Sequence, residues 1–212
     1  MPVNEKQISG ETIYQRQQYM KGGLGRRYWD YRDNVALSVL DEADMVIVDL
    51  GCGEGITLEK MVARFKAGSI VGVDVIPENV AICLDHNLPV RQGNLYDLDL
   101  ADGSVDAVTL MEVIEHLERP EAAVRQIHRI LKPGGKLVIV FPNDAIVKVA
   151  RLLTLKFKEA AYDPGHTRQW TPGDMRLLLN GAGFTVFFSK SIPFRWYPIS
   201  LHCVVAARKL AP

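Results

Sequence analysis

The sequence predicts a doubly wound α/β domain, in which a mostly parallel sheet is covered by helices on both faces. Three observations predict it. Short apolar, β-branched runs alternate with amphipathic helical stretches along most of the chain. One of these runs, Val46-Ile-Val-Asp-Leu50, stops directly at Gly51-Cys-Gly-Glu-Gly55 and is followed by a helical segment, the way a parallel strand hands over to a helix at a ligand-binding edge. A chain of 212 residues with 48% hydrophobic content can also bury a sizeable core as one domain.

Taken in order, residues 1–27 form a polar, glycine-containing arm with no clear place in a sheet, and residues 28–212 form the single domain. Strands are predicted at Met45 to Leu50, Ser69 to Asp74, Pro89 to Gln92, Val105 to Met111 and Lys136 to Phe141. Each is followed by turn residues and a helical stretch, such as Ile56 to Phe65 after the first, so these five make the centre of the sheet. Residues 144–170 fit this scheme poorly and read as an insertion on the substrate side; with the N-terminal arm they are the two candidate lids. A helix starts at Thr171-Pro172. Gly183 to Ser189 and Leu201 to Ala207 then follow one another without a comparable helix between them, which predicts an antiparallel pair closing one edge. The chain carries no internal repeat and no low-complexity segment.

Charge narrows the function classes. Lys plus Arg and Asp plus Glu both number 25, so nothing pulls the whole chain toward nucleic acid or anionic membrane. The opening residues lack the apolar centre of a signal peptide, and no stretch supplies the roughly 18 uninterrupted apolar residues of a membrane helix, so a cytoplasmic protein without membrane insertion is expected. Cys52, Cys83 and Cys203 show neither Cys-x-x-Cys nor zinc-ligand spacing and read as free thiols.

The glycine loop gives a ligand access to bare backbone. The dinucleotide fingerprint is Gly-x-Gly-x-x-Gly; here the third glycine comes one residue early and Glu54 stands in the loop, which disfavours a phosphate. Asp49 and Glu54 together suit a cation, an ammonium or a sulfonium. A tight strand-to-helix turn without a ligand is the alternative. Asp74 ends the second strand about twenty residues after the loop, where a ribose diol would need an acceptor, although it can also cap the helix opened by Pro77. Asn94 can accept from an adenine amino group while Leu95 covers the ring, and a simple turn explains Gly93-Asn94 almost as well.

The run D-L-G-C-G-E-G (49–55), then G-V-D (72–74), G-N (93–94), D-A-V-T-L-M-E-V-I-E-H-L (106–117) and L-K-P-G-G-K-L-V-I-V-F-P-N (131–143) resembles the class I S-adenosylmethionine-dependent methyltransferases, in particular the group that shares the E-V-I-E-H-L segment and includes ubiquinone-type O-methyltransferases. The resemblance covers residues 46–143 and implies a seven-stranded Rossmann-like sheet with its last strand antiparallel and S-adenosylmethionine across the strand ends. It places Asp49, Gly51, Cys52 and Gly53 around the methionine part, Asp74 and Val75 at the ribose, Asn94 and Leu95 at the adenine, and Met111 and Glu112 facing the methyl group. Asn94 departs from the acid usual at its position. Arg26-Arg27-Tyr28-Trp29 either closes over the cofactor, with an arginine on its carboxylate, or only starts a surface helix.

Methyl transfer from a sulfonium is an in-line displacement, so the protein must position the nucleophile and, for a hydroxyl, remove its proton. Of the five histidines, His86, His128 and His202 read as structural. His116 ends Glu112-Val-Ile-Glu115-His116, whose helical spacing would put all three polar side chains on one side, either at the cofactor or as a network holding the loop. His166 lies in the turn-rich segment before Thr171, within the 144–170 insertion. It is a candidate base; by resemblance to metal-dependent O-methyltransferases, Glu112, Glu115, His116 and His166 are instead candidate ligands of one divalent ion. The metal-free base asks for fewer converging residues and is preferred. The expected activity is O-methylation of a small hydroxylated metabolite, lipid precursor or sugar by a monomer or homodimer; the apolar segments 147–157 and 193–197 line a substrate cavity or pack helices. A metal-dependent RNA ribose 2′-O-methyltransferase and a non-catalytic cofactor-binding subunit are the alternatives, and neutral charge disfavours the first.

Overall fold

The computed structural model describes residues 15–40, 46–65, 69–147 and 167–210. Seven strands form one sheet: β1 (Val46–Leu50), β2 (Ser69–Asp74), β3 (Val90–Gln92), β4 (Val105–Met111), β5 (Leu131–Pro142), β6 (Phe184–Ile192) and β7 (His202–Lys209), in the order β3-β2-β1-β4-β5-β7-β6. The first five run parallel, and β7 lies antiparallel between β5 and β6. Reversal of β7 sets its first residue, His202, opposite Pro142 at the end of β5. One edge therefore collects the ends of β1, β2, β4 and β5 with the start of β7, and ligands of open parallel sheets bind outside such an edge.

Side-chain alternation sorts the core onto two faces. Val48, Leu50, Val108, Leu110 and Ile139 pack with α5 (Pro120–Ile130) and α6 (Pro172–Gly181) through Val124, Ile127, Met175 and Leu179. On the opposite face Ile47, Ala107, Val138, Val140 and Val204 meet Val35, Ala36 and Leu37 of α2 (Gly23–Leu37) and Met61 of α3 (Ile56–Arg64). Helix α6 starts as its sequence requires: Thr171 and Asp174 exchange side-chain bonds to each other's backbone N–H, with Pro172 next.

Three features depart from the sequence reading. No helix links β3 to β4; residues 93–104 form turns and extended loop, and Arg129 of α5 donates to the carbonyls of Leu98 at 2.8 Å and Leu100 at 2.7 Å, satisfying backbone that a helix would have satisfied. Strand β5 begins at Leu131, with the Lys132-Pro-Gly-Gly135 irregularity before its register with β4 resumes at Lys136. A Cβ on Gly135 would come within 2.9 Å of the Lys132 carbonyl oxygen, so a glycine is required there. In the arm, α1 (Gln15–Met20) is helical, and the boundary drawn at residue 27 falls inside α2.

Candidate functional site

The glycine loop folds from two different needs. Gly51, Gly53 and Gly55 all have positive φ (70°, 54° and 79°). A Cβ on Gly51 would lie 2.5 Å from a Val113 methyl, and one on Gly55 2.6 Å from Leu88 and 2.8 Å from the Cys83 sulfur. At those two positions backbone conformation and packing alone require a glycine. Gly53 is different, since the nearest atom to its Cβ position is the Gln15 Oε1 at 3.6 Å. Of the three, it is the glycine whose Cβ position overlaps nothing, with Gln15 of the arm lying over it at ordinary contact distance.

Glu54 corrects the charge argument made from sequence. It is 2% exposed and accepts from the backbone N–H of Gln15 at 3.1 Å and of Arg16 at 2.7 Å. The carboxylate anchors the start of α1, which packs the arm onto the glycine loop, so backbone amides rather than a ligand set its orientation. Asp49 stays at the strand end: it is 1% exposed, accepts from the Thr109 hydroxyl at 2.5 Å, and burial pushes its carboxyl up to about 7. Cys52 points beneath the loop toward Gly72 and Cys83, and both thiols approach the Gly53 carbonyl, at 3.9 and 3.4 Å.

Asp74 ends β2 with its carboxylate 6% exposed. Its Oδ2 accepts from Gly53 N–H at 2.8 Å, and its Oδ1 from Ile76 N–H at 2.9 Å and from Asn79 Nδ2 at 3.2 Å. Three of its roughly four acceptor positions are thus filled from within the chain. It does not cap α4 (Pro77–Asp85), whose N-cap is Ile76, but it fixes both the glycine loop and the entry to that helix. Val75 beside it is 49% exposed. Asn94 Oδ1 accepts from Tyr96 N–H at 2.9 Å, so the turn reading of Gly93-Asn94 is realised, with Leu95 packed against the core alongside.

The segment after β4 differs most from its sequence reading. Glu112 has φ 55°, a left-handed backbone at a non-glycine residue, and Ile114–His116 is a short 3-10 turn. Helical spacing therefore does not apply: Glu115 is 2% exposed while His116 faces solvent. Burial, then the nearby Glu112 charge, pushes the Glu115 carboxyl well above its ordinary range, and its Oε2 has no hydrogen-bond partner among the described residues. Glu112 turns the other way. One oxygen takes Arg32 of α2 and the other takes His202 Nε2 at 2.5 Å. Burial alone would raise its carboxyl, but Arg32 and then His202 hold it well below the usual carboxylate range. Arg32 also donates through Nε and Nη2 to Asp33, which accepts in addition from Thr57 and Lys60. Beyond His202, Nδ1 meets the Tyr28 hydroxyl at 2.7 Å.

The proposed metal set is not assembled among the described residues, where no group of three or more His, Cys, Asp or Glu side chains could hold an ion. Both Glu112 oxygens are committed to cationic or donor partners, Glu115 is buried while His116 is exposed, and His166 lies outside the described residues. Thr167, next in the chain, donates to the Glu115 carbonyl through N–H at 2.9 Å and through its hydroxyl at 3.0 Å. Sequence reasoning missed Arg32 and assigned His202 to structure. Their only signal was polarity at positions that the helix and strand patterns bury.

The Gly53 backbone on the Asp74 carboxylate, the exposed Val75 face and buried Asp49 meet at the edge where a nucleoside cofactor would lie. The methyltransferase-domain family matches residues 48–139. A probable S-adenosylmethionine-dependent methyltransferase of Mycolicibacterium smegmatis is 32% identical over 165 residues, covering 75% of this chain and 60% of that protein. A ubiquinone biosynthesis O-methyltransferase of Xanthomonas oryzae is 33% identical over 159 residues, covering 66% and 65% respectively. The chain thus spans less than two thirds of the length of either relative. Among solved structures, a putative methyltransferase in complex with the Haloferax volcanii activator Trm112 superposes with a TM-score of 0.69 at 21% identity, over 89% of this chain and 95% of that one. The cyclase SpnF superposes at 0.70 with 18% identity, over 86% and 81%. At such identities the likeness is one of fold.

Proposed function

The chain belongs to the class I S-adenosylmethionine-dependent methyltransferases, and from that premise we propose that it transfers a methyl group to a hydroxyl oxygen of a small molecule. The observation that carries the reading is the Gly53 backbone held against the Asp74 carboxylate at the edge where β1, β2 and β4 end. S-adenosylmethionine supplies an electrophilic methyl carbon, and the chain's own residues do the rest. Backbone at Gly51, Cys52 and Gly53, with Asp49 behind it, receives the methionine part; Asp74 and Val75 receive the ribose; Leu95 and Asn94 cover the adenine; Met111 and Glu112 face the methyl group.

A small hydroxylated metabolite, lipid precursor or sugar suits the neutral overall charge better than a polyanion does. The relative from Xanthomonas, an O-methyltransferase by name, supports oxygen as the acceptor atom. A non-catalytic cofactor-binding subunit has no use for a strained glutamate tied to arginine and histidine at the strand edge. The test is calorimetry with S-adenosylmethionine and its demethylated product, followed by transfer of labelled methyl from the cofactor to a panel of hydroxylated acceptors. Micromolar binding of both nucleosides and methylation of at least one alcohol or phenol are expected; absence of cofactor binding would end the proposal.

A further inference from the structure

We propose that Tyr28 and His202, aligned by Glu112, form the proton path that deprotonates the acceptor hydroxyl. This rests on the methyl-transfer reading above and assigns the proton acceptor that it needs. The three side chains come from α2, the start of β7 and the residue after β4, and they meet at the strand edge beside the glycine loop.

The contacts run in one line. Glu112 Oε1 lies 2.5 Å from His202 Nε2, and His202 Nδ1 lies 2.7 Å from the Tyr28 hydroxyl. A carboxylate can only accept, so in the neutral ring the proton sits on Nε2 and the Nδ1 lone pair is left to accept from Tyr28. Arg32 holds the second Glu112 oxygen and keeps the carboxylate from rotating away. The left-handed backbone at Glu112 is what aims it there. A network that merely fastened α2 to the sheet would have no need of strain at its centre.

Exposure sets the order of the parts. The His202 side chain is 8% exposed and both of its ring nitrogens are taken, by Glu112 and by the Tyr28 hydroxyl, so an acceptor reaches the imidazole through the half-buried Tyr28. As the acceptor oxygen bonds to the sulfonium methyl and the carbon–sulfur bond breaks, the acceptor proton passes to the Tyr28 oxygen. The Tyr28 proton passes in the same step to His202 Nδ1. The sulfonium charge is lost as a neutral thioether leaves, and the positive charge reappears on the imidazolium, beside the Glu112 carboxylate. Tyr28 is the catalytic residue that touches the acceptor; His202 acts through it, and Glu112 positions the ring.

The experiment uses the full chain with catechol and methyl glucoside as probe acceptors, comparing wild type, Tyr28→Phe, His202→Gln and the double variant. Each single variant should lose about 100-fold in kcat, with the cofactor Kd and probe KM within threefold of wild type. The double variant should lose no more than the worse single one. A kcat loss under tenfold in either single variant, or a loss matched by weakened cofactor binding, overturns the relay. A wild type that binds the cofactor yet methylates neither probe removes the hydroxyl reading and the relay with it. In parallel, nitrogen NMR of ¹⁵N-histidine-labelled protein with cofactor bound should show His202 protonated on Nε2, and Tyr28→Phe should shift its Nδ1 signal. An unshifted Nδ1 signal would overturn the proposal without reference to any acceptor.

Discussion

Arg32→Met tests the charged network that holds the site. Arg32 is 5% exposed and makes three directed contacts, with Nε and Nη2 on Asp33 and Nη1 on Glu112. Methionine keeps most of the volume and removes the charge. Asp33, which is fully buried, would keep Thr57 at 3.2 Å and Lys60 at 2.7 Å, and Glu112 would keep His202. Removing one partner of a buried ion pair costs about 3–5 kcal/mol because it strands a charge. The surviving partners place this case at the lower end, about 3 kcal/mol, or a fall in Tm of roughly 6–12 °C for a chain of this size. Urea unfolding at pH 7 measures it directly. Arg32→Lys should restore little, because one ammonium cannot reach both carboxylates as the planar fork does. Adding Glu112→Gln to Arg32→Met should recover part of the loss by removing one stranded charge. A loss under about 1 kcal/mol for Arg32→Met would refute the reasoning, since it would place the pair in solvent-screened surroundings.

Three other outcomes are expected. Asp74→Ala should weaken S-adenosylmethionine at least tenfold, about 1.4 kcal/mol, because it frees the Gly53 N–H as well as losing the proposed contact to the ribose; calorimetry showing an unchanged Kd would count against both. Amides of α1 should gain hydrogen-exchange protection when cofactor binds, since Glu54 fastens that helix to the loop proposed to hold the cofactor, and equal protection in the two states would make it fixed structure rather than a lid. Asp49 gives a pH dependence: its folded carboxyl titrates at about 7, above the unfolded value, so between about pH 4 and 7 the folded state binds more protons and stability falls as pH rises, by on the order of 2–4 kcal/mol. Asp49→Asn should flatten that slope in denaturant titrations at pH 5 and pH 8, and an unchanged slope would place its source elsewhere.

The sheet was legible because its determinants are local. Ser69–Asp74 and Val105–Met111 begin and end where their apolar runs do, and the capping box at Thr171 marks the start of α6 to the residue. The loop between β3 and β4 was not legible, since its carbonyls are satisfied by Arg129 from about thirty residues away, and no local pattern announces a partner at that distance. Glu54 shows the same limit at smaller scale. Its place in the glycine loop suggested a ligand, but its orientation is set by the Gln15 and Arg16 amides of a segment 38 and 39 residues earlier.

The charged cluster marks where reading along the chain gives way to the third dimension. Spacing rules assume that a segment keeps one conformation, and Glu112-Val-Ile-Glu115-His116 breaks that assumption at its first residue, where the backbone turns left-handed and Glu112 takes partners from α2 and β7. Once it has turned, its partners are decided by topology. Antiparallel β7 brings His202 back to the edge where β5 ends, and α2, packed on the face carrying Val138 and Val140, delivers Tyr28 and Arg32 to the same place. Had β7 run parallel, His202 would lie at the far edge and Glu112 would be left with Arg32 alone. The reversed strand, a fold-level feature, is thus what couples a carboxylate at the cofactor edge to an imidazole and a phenol, and it explains why a histidine that opens a strand is the one placed to accept a proton.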